Sequence, residues 1–257
     1  MEERYRREIV EVSRALHSRG WVANHDGNLS ARLSDRGDAL LATPTAVSKG
    51  DVTPESLIVV GPDGAVLQGT RKPFSELRLH RVAYAARADV NVVIHAHPPT
   101  ATGFAVAGVP LGAPFMAEPV VSLGESVPLV PYGLVGSPQL DEALSAALRG
   151  ADAVMLANHG VLTVGPSFEL ALLRMELVEH LCKIALVARQ LGGPVPIPRA
   201  DVETLLEGRA KAGLNPRPQE TNNINYPETA GHVAPSAPPP PGDVAALVAE
   251  ALRRFGR

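Results

Sequence analysis

Cysteine is nearly absent from this chain: Cys182 stands alone among 257 residues, which excludes an internal disulfide and any cysteine-rich zinc module. Its place on the apolar side of a long helical pattern reads as a core thiol. Long apolar runs are missing too. None approaches the roughly 20 uninterrupted residues of a membrane-spanning helix. The start Met1-Glu2-Glu3-Arg4 lacks the basic-then-apolar order of a signal peptide, so cytoplasmic synthesis is expected. Excess charge of either sign is also wanting. Lys and Arg number 24 against 27 Asp and Glu, a formal net charge of -3, and the pI lies near 6.2. With no basic stripe there is no electrostatic footprint for nucleic acid, and any anion must be bound locally. The 45% of residues that are hydrophobic suffice for the core of one large domain.

Glu2 to Arg19 places Ile9, Val12 and Leu16 at helical spacing, ended by Gly20, and a glycine- and asparagine-bearing turn is expected next. Short apolar segments at Ala39–Ala42, Leu57–Val60 and Ala65–Leu67, parted by Gly61-Pro62-Asp63-Gly64, read as hairpin-connected strands. Helices are expected over Glu76–Arg87, Thr100–Ala107, Gln139–Arg149, Ser167–Leu191 and Asp201–Ala212. Strands are expected at Val90–His97, Val127–Val130 and Ala153–Val164. The compact domain then spans 1–214. Residues 215–242 carry eight prolines, including Pro238 to Pro241, and read as an extended, semi-rigid linker. Residues 243–257 set Val244, Leu247, Val248, Leu252 and Phe255 at helical spacing, an amphipathic helix in need of a partner.

The chemistry concentrates in His95-Ala96-His97, at the end of an apolar run, and Ala157-Asn158-His159-Gly160, after another. Alternate strand residues share a face, so His95 and His97 lie roughly 6.5 Å apart along the chain on one side. A third imidazole from His159 would complete the three-ligand set with an open position that marks catalytic zinc. Gly27-Asn28-Leu29-Ser30, Thr43-Pro44-Thr45-Ala46 and Lys72-Pro73-Phe74-Ser75-Glu76 combine glycine with short hydroxyl and amide donors suited to an oxyanion, with Asn28, Ser30, Thr45 and Ser75 as the donors. Turn chemistry alone would also place Gly27 and Asn28, and Ser75 reads equally as an N-cap.

This ordered set, together with Pro131-Tyr132 to Gly136-Ser137, resembles the class II aldolase/adducin family, in particular its L-fuculose-1-phosphate aldolase-like enzymes, over about residues 5–190. The resemblance implies a three-layer α/β/α fold around a mainly antiparallel sheet, assembled as a homotetramer. It implies Zn²⁺ on His95, His97 and His159, Glu76 as the catalytic acid/base, and a substrate phosphate near Asn28, Ser30, Thr45, Ala46 and Ser75. The implied reaction is reversible cleavage of a ketose 1-phosphate of the fuculose or rhamnulose kind. It passes through a metal-stabilised enediolate and yields dihydroxyacetone phosphate and lactaldehyde.

Three departures bear on substrate. Ala46 replaces the family's usual glycine, and Phe74 stands where the family commonly has a serine. Phe115 falls where the fuculose enzyme carries its proton-donating tyrosine; Tyr132 and the tail's Tyr226 are the remaining tyrosine substitutes. A same-fold sugar-phosphate dehydratase or epimerase, or a hydroxy-acid decarboxylase, is therefore the rival reading, and a non-catalytic adducin-like module the remote one. The tail resembles encapsulation peptides that carry enzymes into bacterial microcompartments. Residues 243–257 would then dock on a shell or co-cargo protein.

Overall fold

The computed structural model describes residues 1–214. The linker read over 215–242, the helix read over 243–257, Tyr226 and His232 lie outside them. Along the chain run α1 (Glu2–Ser18), β1 (Asn28–Leu33), β2 (Ala39–Ala42), β3 (Ile58–Val60), β4 (Val66–Gln68), α2 (Leu77–Ala86), β5 (Val92–Ala96), α3 (Pro99–Val106), α4 (Ala117–Leu123), β6 (Leu129–Val130), α5 (Pro138–Gly150), β7 (Ala153–Leu156), β8 (Gly160–Gly165), α6 (Phe168–Gln190) and α7 (Arg199–Lys211). One eight-stranded sheet has the order β4-β3-β2-β1-β5-β8-β7-β6. Every pairing is antiparallel except β6 with β7.

Strand alternation splits the core into two layers. Leu29, Ala31, Leu41, Val59, Ile94, Met155 and Val161 join residues of α1, α3 and α6 in one apolar cluster. Their neighbours Leu40, Ala42, Ile58, Val93, Val154 and Leu162 join α2 and α5 in the other. Helices on both sides explain why β2, β5, β7 and β8 are buried at every residue and read as near-continuous apolar runs. Serines start the two longest late helices: Ser137 accepts from the Leu140 N–H and Ser167 from the Leu170 N–H. The architecture is the expected α/β/α sandwich around a mainly antiparallel sheet.

Two expectations fail. The segment read as a turn after α1 is the central strand β1, whose polar Asn28 and Ser30 mask its alternation. Helix α4 carries Pro119 within seven residues and has no sequence signature. Cys182 is buried on α6, and burial pushes its thiol up to about 12, as befits an inert core residue. Among the described residues no helix is long and apolar enough to cross a membrane.

Candidate active site

The sheet order explains how distant histidines meet. Strand β8 lies between β5 and β7 and pairs Val161 with Ala96, so the turn before β8 sits against the end of β5. His95 and His97 come from that strand end, and His159 from the turn. One ring nitrogen of each lies within 4.8 Å of the others. Asn158 adopts φ 56° to make the turn, a conformation asparagine tolerates better than most residues. Gly160 has no such freedom to change. A Cβ there would stand 2.5 Å from His97 Cδ2 and 2.7 Å from the Ala96 carbonyl oxygen. Gly160→Ala is therefore expected to push the His97 ring out of place and weaken zinc affinity at least 10-fold, on the scale of losing a residue that orients a ligand. Isothermal titration with zinc reads this directly.

Hydrogen bonding fixes which nitrogens are bare. His95 Nδ1 lies 3.0 Å from the Val161 carbonyl oxygen, and His97 Nδ1 lies 3.0 Å from Asp26 Oδ2. Both partners only accept, so each imidazole carries its proton on Nδ1 and a lone pair on Nε2. Those two Nε2 atoms face each other at 3.1 Å. Two lone pairs at that distance repel unless a cation lies between them. Tetrahedral zinc with bonds near 2.0–2.1 Å would set its nitrogens roughly 3.3 Å apart, so the residues fit such an ion. Burial pushes His95 down to about 3, which keeps it in the neutral form that metal binding requires. The carboxylate beside His97 is the orienting partner commonly found behind a metal-bound imidazole.

Glu76, at the N-cap of α2, reaches the same point. Its Oε1 lies 2.8 Å from His159 Nε2 and its Oε2 lies 3.5 Å from His95 Nε2. Asn28 Nδ2 donates to Oε2 at 2.6 Å. Burial alone would raise the carboxyl. The hydrogen bond from His159, the electrostatic influence of the neighbouring His95 and His159 rings, and the Asn28 amide outweigh it and hold Glu76 below the usual carboxylate range. It is ionised at neutral pH. Beside it opens a cavity of about 260 Å³ lined by His159, Tyr132, Leu134, Val135 and Leu156.

The remaining expected donors divide. Thr45, Ala46 and Ser75 are exposed. Their loops are joined by the Thr45 N–H, which donates to the Lys72 carbonyl, and by the Pro44–Pro73 bridge. Ala46 takes φ 57°, the left-handed conformation for which the family's glycine is suited. Ser30 does not face the opening: it is fully buried, with its hydroxyl between His80 and Tyr84. Glu76, rather than Ser75, is the N-cap. Phe74 stacks on His80, with ring centroids 5.0 Å apart, and Phe115 packs against the core facing α1 and α6. The sequence reading missed Asp26 and Lys49 and took His80 for an ordinary structural histidine. Lys49 is buried and donates from Nζ to the carbonyls of His25 and Val47. Burial holds it down at about 8 against the raising charges of Asp26 and Glu76.

The fold and the gathering of three imidazoles, two of them against the Glu76 carboxylate, define an α/β enzyme of the metal-dependent aldolase kind. The family model "Class II Aldolase and Adducin N-terminal domain" matches residues 7–186, and the chain belongs to that family. It is 30% identical over 204 residues to 5-deoxy-D-ribulose 1-phosphate aldolase of Bacillus thuringiensis serovar kurstaki, covering 79% of this chain and 94% of that relative. It is 31% identical over 191 residues to 3-oxo-tetronate 4-phosphate decarboxylase of Escherichia coli K12, covering 73% and 88%. Among solved structures, an L-fuculose 1-phosphate aldolase superposes with a TM-score of 0.72 at 28% identity, over 79% of this chain and 94% of that one.

Proposed function

We propose that this protein is a zinc-dependent aldolase that reversibly cleaves a ketose 1-phosphate with a deoxygenated end to dihydroxyacetone phosphate and a short aldehyde. The observation that carries this reading is the pair of bare, opposed Nε2 atoms of His95 and His97, with Glu76 in the lining of the cavity beside them. His95, His97 and His159 would hold the zinc, which supplies Lewis-acid polarisation of the ketose carbonyl. Cleavage breaks the carbon–carbon bond beyond the carbonyl. The carbon freed on the ketone fragment takes up a proton, and the hydroxyl of the departing fragment gives one up as it becomes the aldehyde. Glu76 carries the proton to that carbon and, ionised, removes it in the reverse direction. Asn28 holds one Glu76 oxygen while the other lies against His159.

The apolar side chains of Leu134, Val135 and Leu156 favour a methyl-terminated fragment. A 6-deoxyhexulose phosphate, as in fuculose or rhamnulose, would release lactaldehyde, and a 5-deoxypentulose phosphate would release acetaldehyde. The second reading is decarboxylation of a 3-oxo acid phosphate. It is favoured by the relative of that name and by Phe74 and Phe115, which stand where the family commonly has a serine and where the fuculose enzyme carries its proton-donating tyrosine. That reaction also leaves dihydroxyacetone phosphate, but with carbon dioxide in place of an aldehyde.

A panel of the L-fuculose, L-rhamnulose and 5-deoxyribulose 1-phosphates with 3-oxo-tetronate 4-phosphate separates the two when aldehyde and carbon dioxide are both quantified. Aldehyde in step with dihydroxyacetone phosphate is the expected result. Carbon dioxide from the oxo acid, with no aldehyde from any ketose phosphate, would overturn it. A homotetramer, and docking of residues 243–257 on a microcompartment protein, remain part of the proposal through the family resemblance. Sedimentation of the full chain, and localisation of a fluorescent protein fused to residues 235–257 in cells making the shells, test them.

A further inference from the structure

Behind Glu76 runs a line of buried polar groups that the reaction above does not use. Tyr84 Oη lies 2.8 Å from Ser30 Oγ, Ser30 Oγ lies 2.7 Å from His80 Nδ1, and His80 Nε2 lies 2.6 Å from Asn28 Oδ1. Asn28 Nδ2 then donates to Glu76 Oε2 at 2.6 Å. The proton positions follow from the Glu76 end. An ionised carboxylate only accepts, so Asn28 must turn its amide nitrogen to it and its oxygen to His80. His80 must then carry its proton on Nε2. Fully buried, with its pKa held down at about 3 by desolvation, it stays neutral, and Nδ1 is left as an acceptor. Ser30 can only donate to that nitrogen, and its oxygen takes the Tyr84 hydroxyl proton. Every donor in the line points toward Glu76.

The spacing that builds the line is written twice in the sequence. Glu76, His80 and Tyr84 recur every four residues, which along helix α2 is an advance of about 6 Å per step. Asn28 and Ser30 recur every two residues along β1, an advance of about 6.6 Å. Two ladders of nearly equal pitch therefore interlock, helix side chains alternating with strand side chains.

We propose that His80, Ser30 and Tyr84 are positioning residues. They lock the Asn28 amide in the one orientation that donates to Glu76, and so hold the carboxylate for proton transfer. Were His80 to adopt the other tautomer, Asn28 would rotate and set its carbonyl oxygen against the carboxylate. The amide carries no proton along the line; what passes through it is orientation.

This rests on Glu76 being the acid/base of the aldolase reading, so the test has one arm that needs no turnover. In full-length protein labelled with ¹⁵N-histidine, nitrogen NMR should show His80 with Nε2 protonated and Nδ1 bare. Ser30→Ala, which removes the donor to Nδ1, should move the Nδ1 resonance further toward that of an unbonded nitrogen while Nε2 stays protonated. A wild-type His80 protonated on Nδ1 would overturn the proposal whatever the substrate proves to be.

The kinetic arm compares His80→Met, which keeps bulk but loses both nitrogens, with His80→Gln, which keeps a donor where Nε2 was. In the former kcat should fall at least 10-fold, with KM and zinc content within 2-fold of wild type, and the latter should recover most of the loss. Equal loss in both variants, or KM and zinc content changing in step with kcat, would mean that His80 only supports the fold.

Discussion

Glu76→Gln is expected to lower kcat by about 10²–10⁴-fold, the usual worth of a positioned acid/base, while zinc content stays at the wild-type level. The substitution keeps the shape of the side chain and its seat at the start of α2, but removes the carboxylate that lines the cavity beside His159. His95 and His97 take their orientation from the Val161 carbonyl and Asp26, neither of which is altered, so the metal site should survive. KM should change little, since Glu76 acts on a carbon that binding alone does not ionise. Steady-state kinetics with elemental analysis of the same preparation checks both halves. Wild-type turnover in this variant would reassign the acid/base, with Asp26 and the exposed Tyr132 the nearest remaining proton carriers.

The largest expected loss of stability comes from Asp152→Ala. Asp152, just ahead of β7, is 1% exposed and receives three guanidinium groups. Arg87 from the end of α2 lies 2.6 Å away, and Arg174 of α6 and Arg209 of α7 each lie 2.7 Å away. The arginines are themselves buried, so the single carboxylate compensates three charges drawn from both helical layers. Arg174 and Arg209 also donate to the carbonyls of Val164 and Val121. Asp89 is paired with Arg87 and its charge also reaches Arg174, but Asp152 is the carboxylate that lies 2.7 Å from both Arg174 and Arg209. Removing one partner of a buried ion pair costs about 3–5 kcal/mol, and here the orphaned charges are plural. Urea unfolding at neutral pH should show a lowered midpoint with an unchanged slope. A loss under about 1 kcal/mol would show that water or rearrangement compensates the arginines.

Much of this molecule was legible beforehand, for identifiable reasons. Helices α1, α5 and α6 carry apolar residues at helical spacing and end in glycine or capping serine, signals that depend on neighbours in sequence. His95-Ala96-His97 was legible because strand alternation fixes two side chains on one face whatever the partner strand. Strand β1 was not: Asn28 and Ser30 face α2 and the carboxylate instead of apolar neighbours, so the alternation that marks a strand is polar on one side. Asp26 went unnoticed and His80 was given no role because their importance lies in hydrogen bonds to residues remote in sequence, Asp26 to His97 over 71 residues and His80 to Asn28 and Ser30 over 52 and 50. The four-residue spacing of Glu76, His80 and Tyr84 was the available clue. Substrate identity was the least legible part, since it depends on Tyr132, Leu134 and Val135 in a turn whose composition reads as structural.

The most direct measurement is the zinc content of the wild-type chain and of His97→Ala, each loaded with zinc, dialysed against metal-free buffer and analysed alongside its unfolding midpoint. Near one zinc per wild-type chain, and almost none in a variant that still folds, is the predicted result. Equal zinc in both, or none in either, would contradict three imidazoles gathered to hold a single ion.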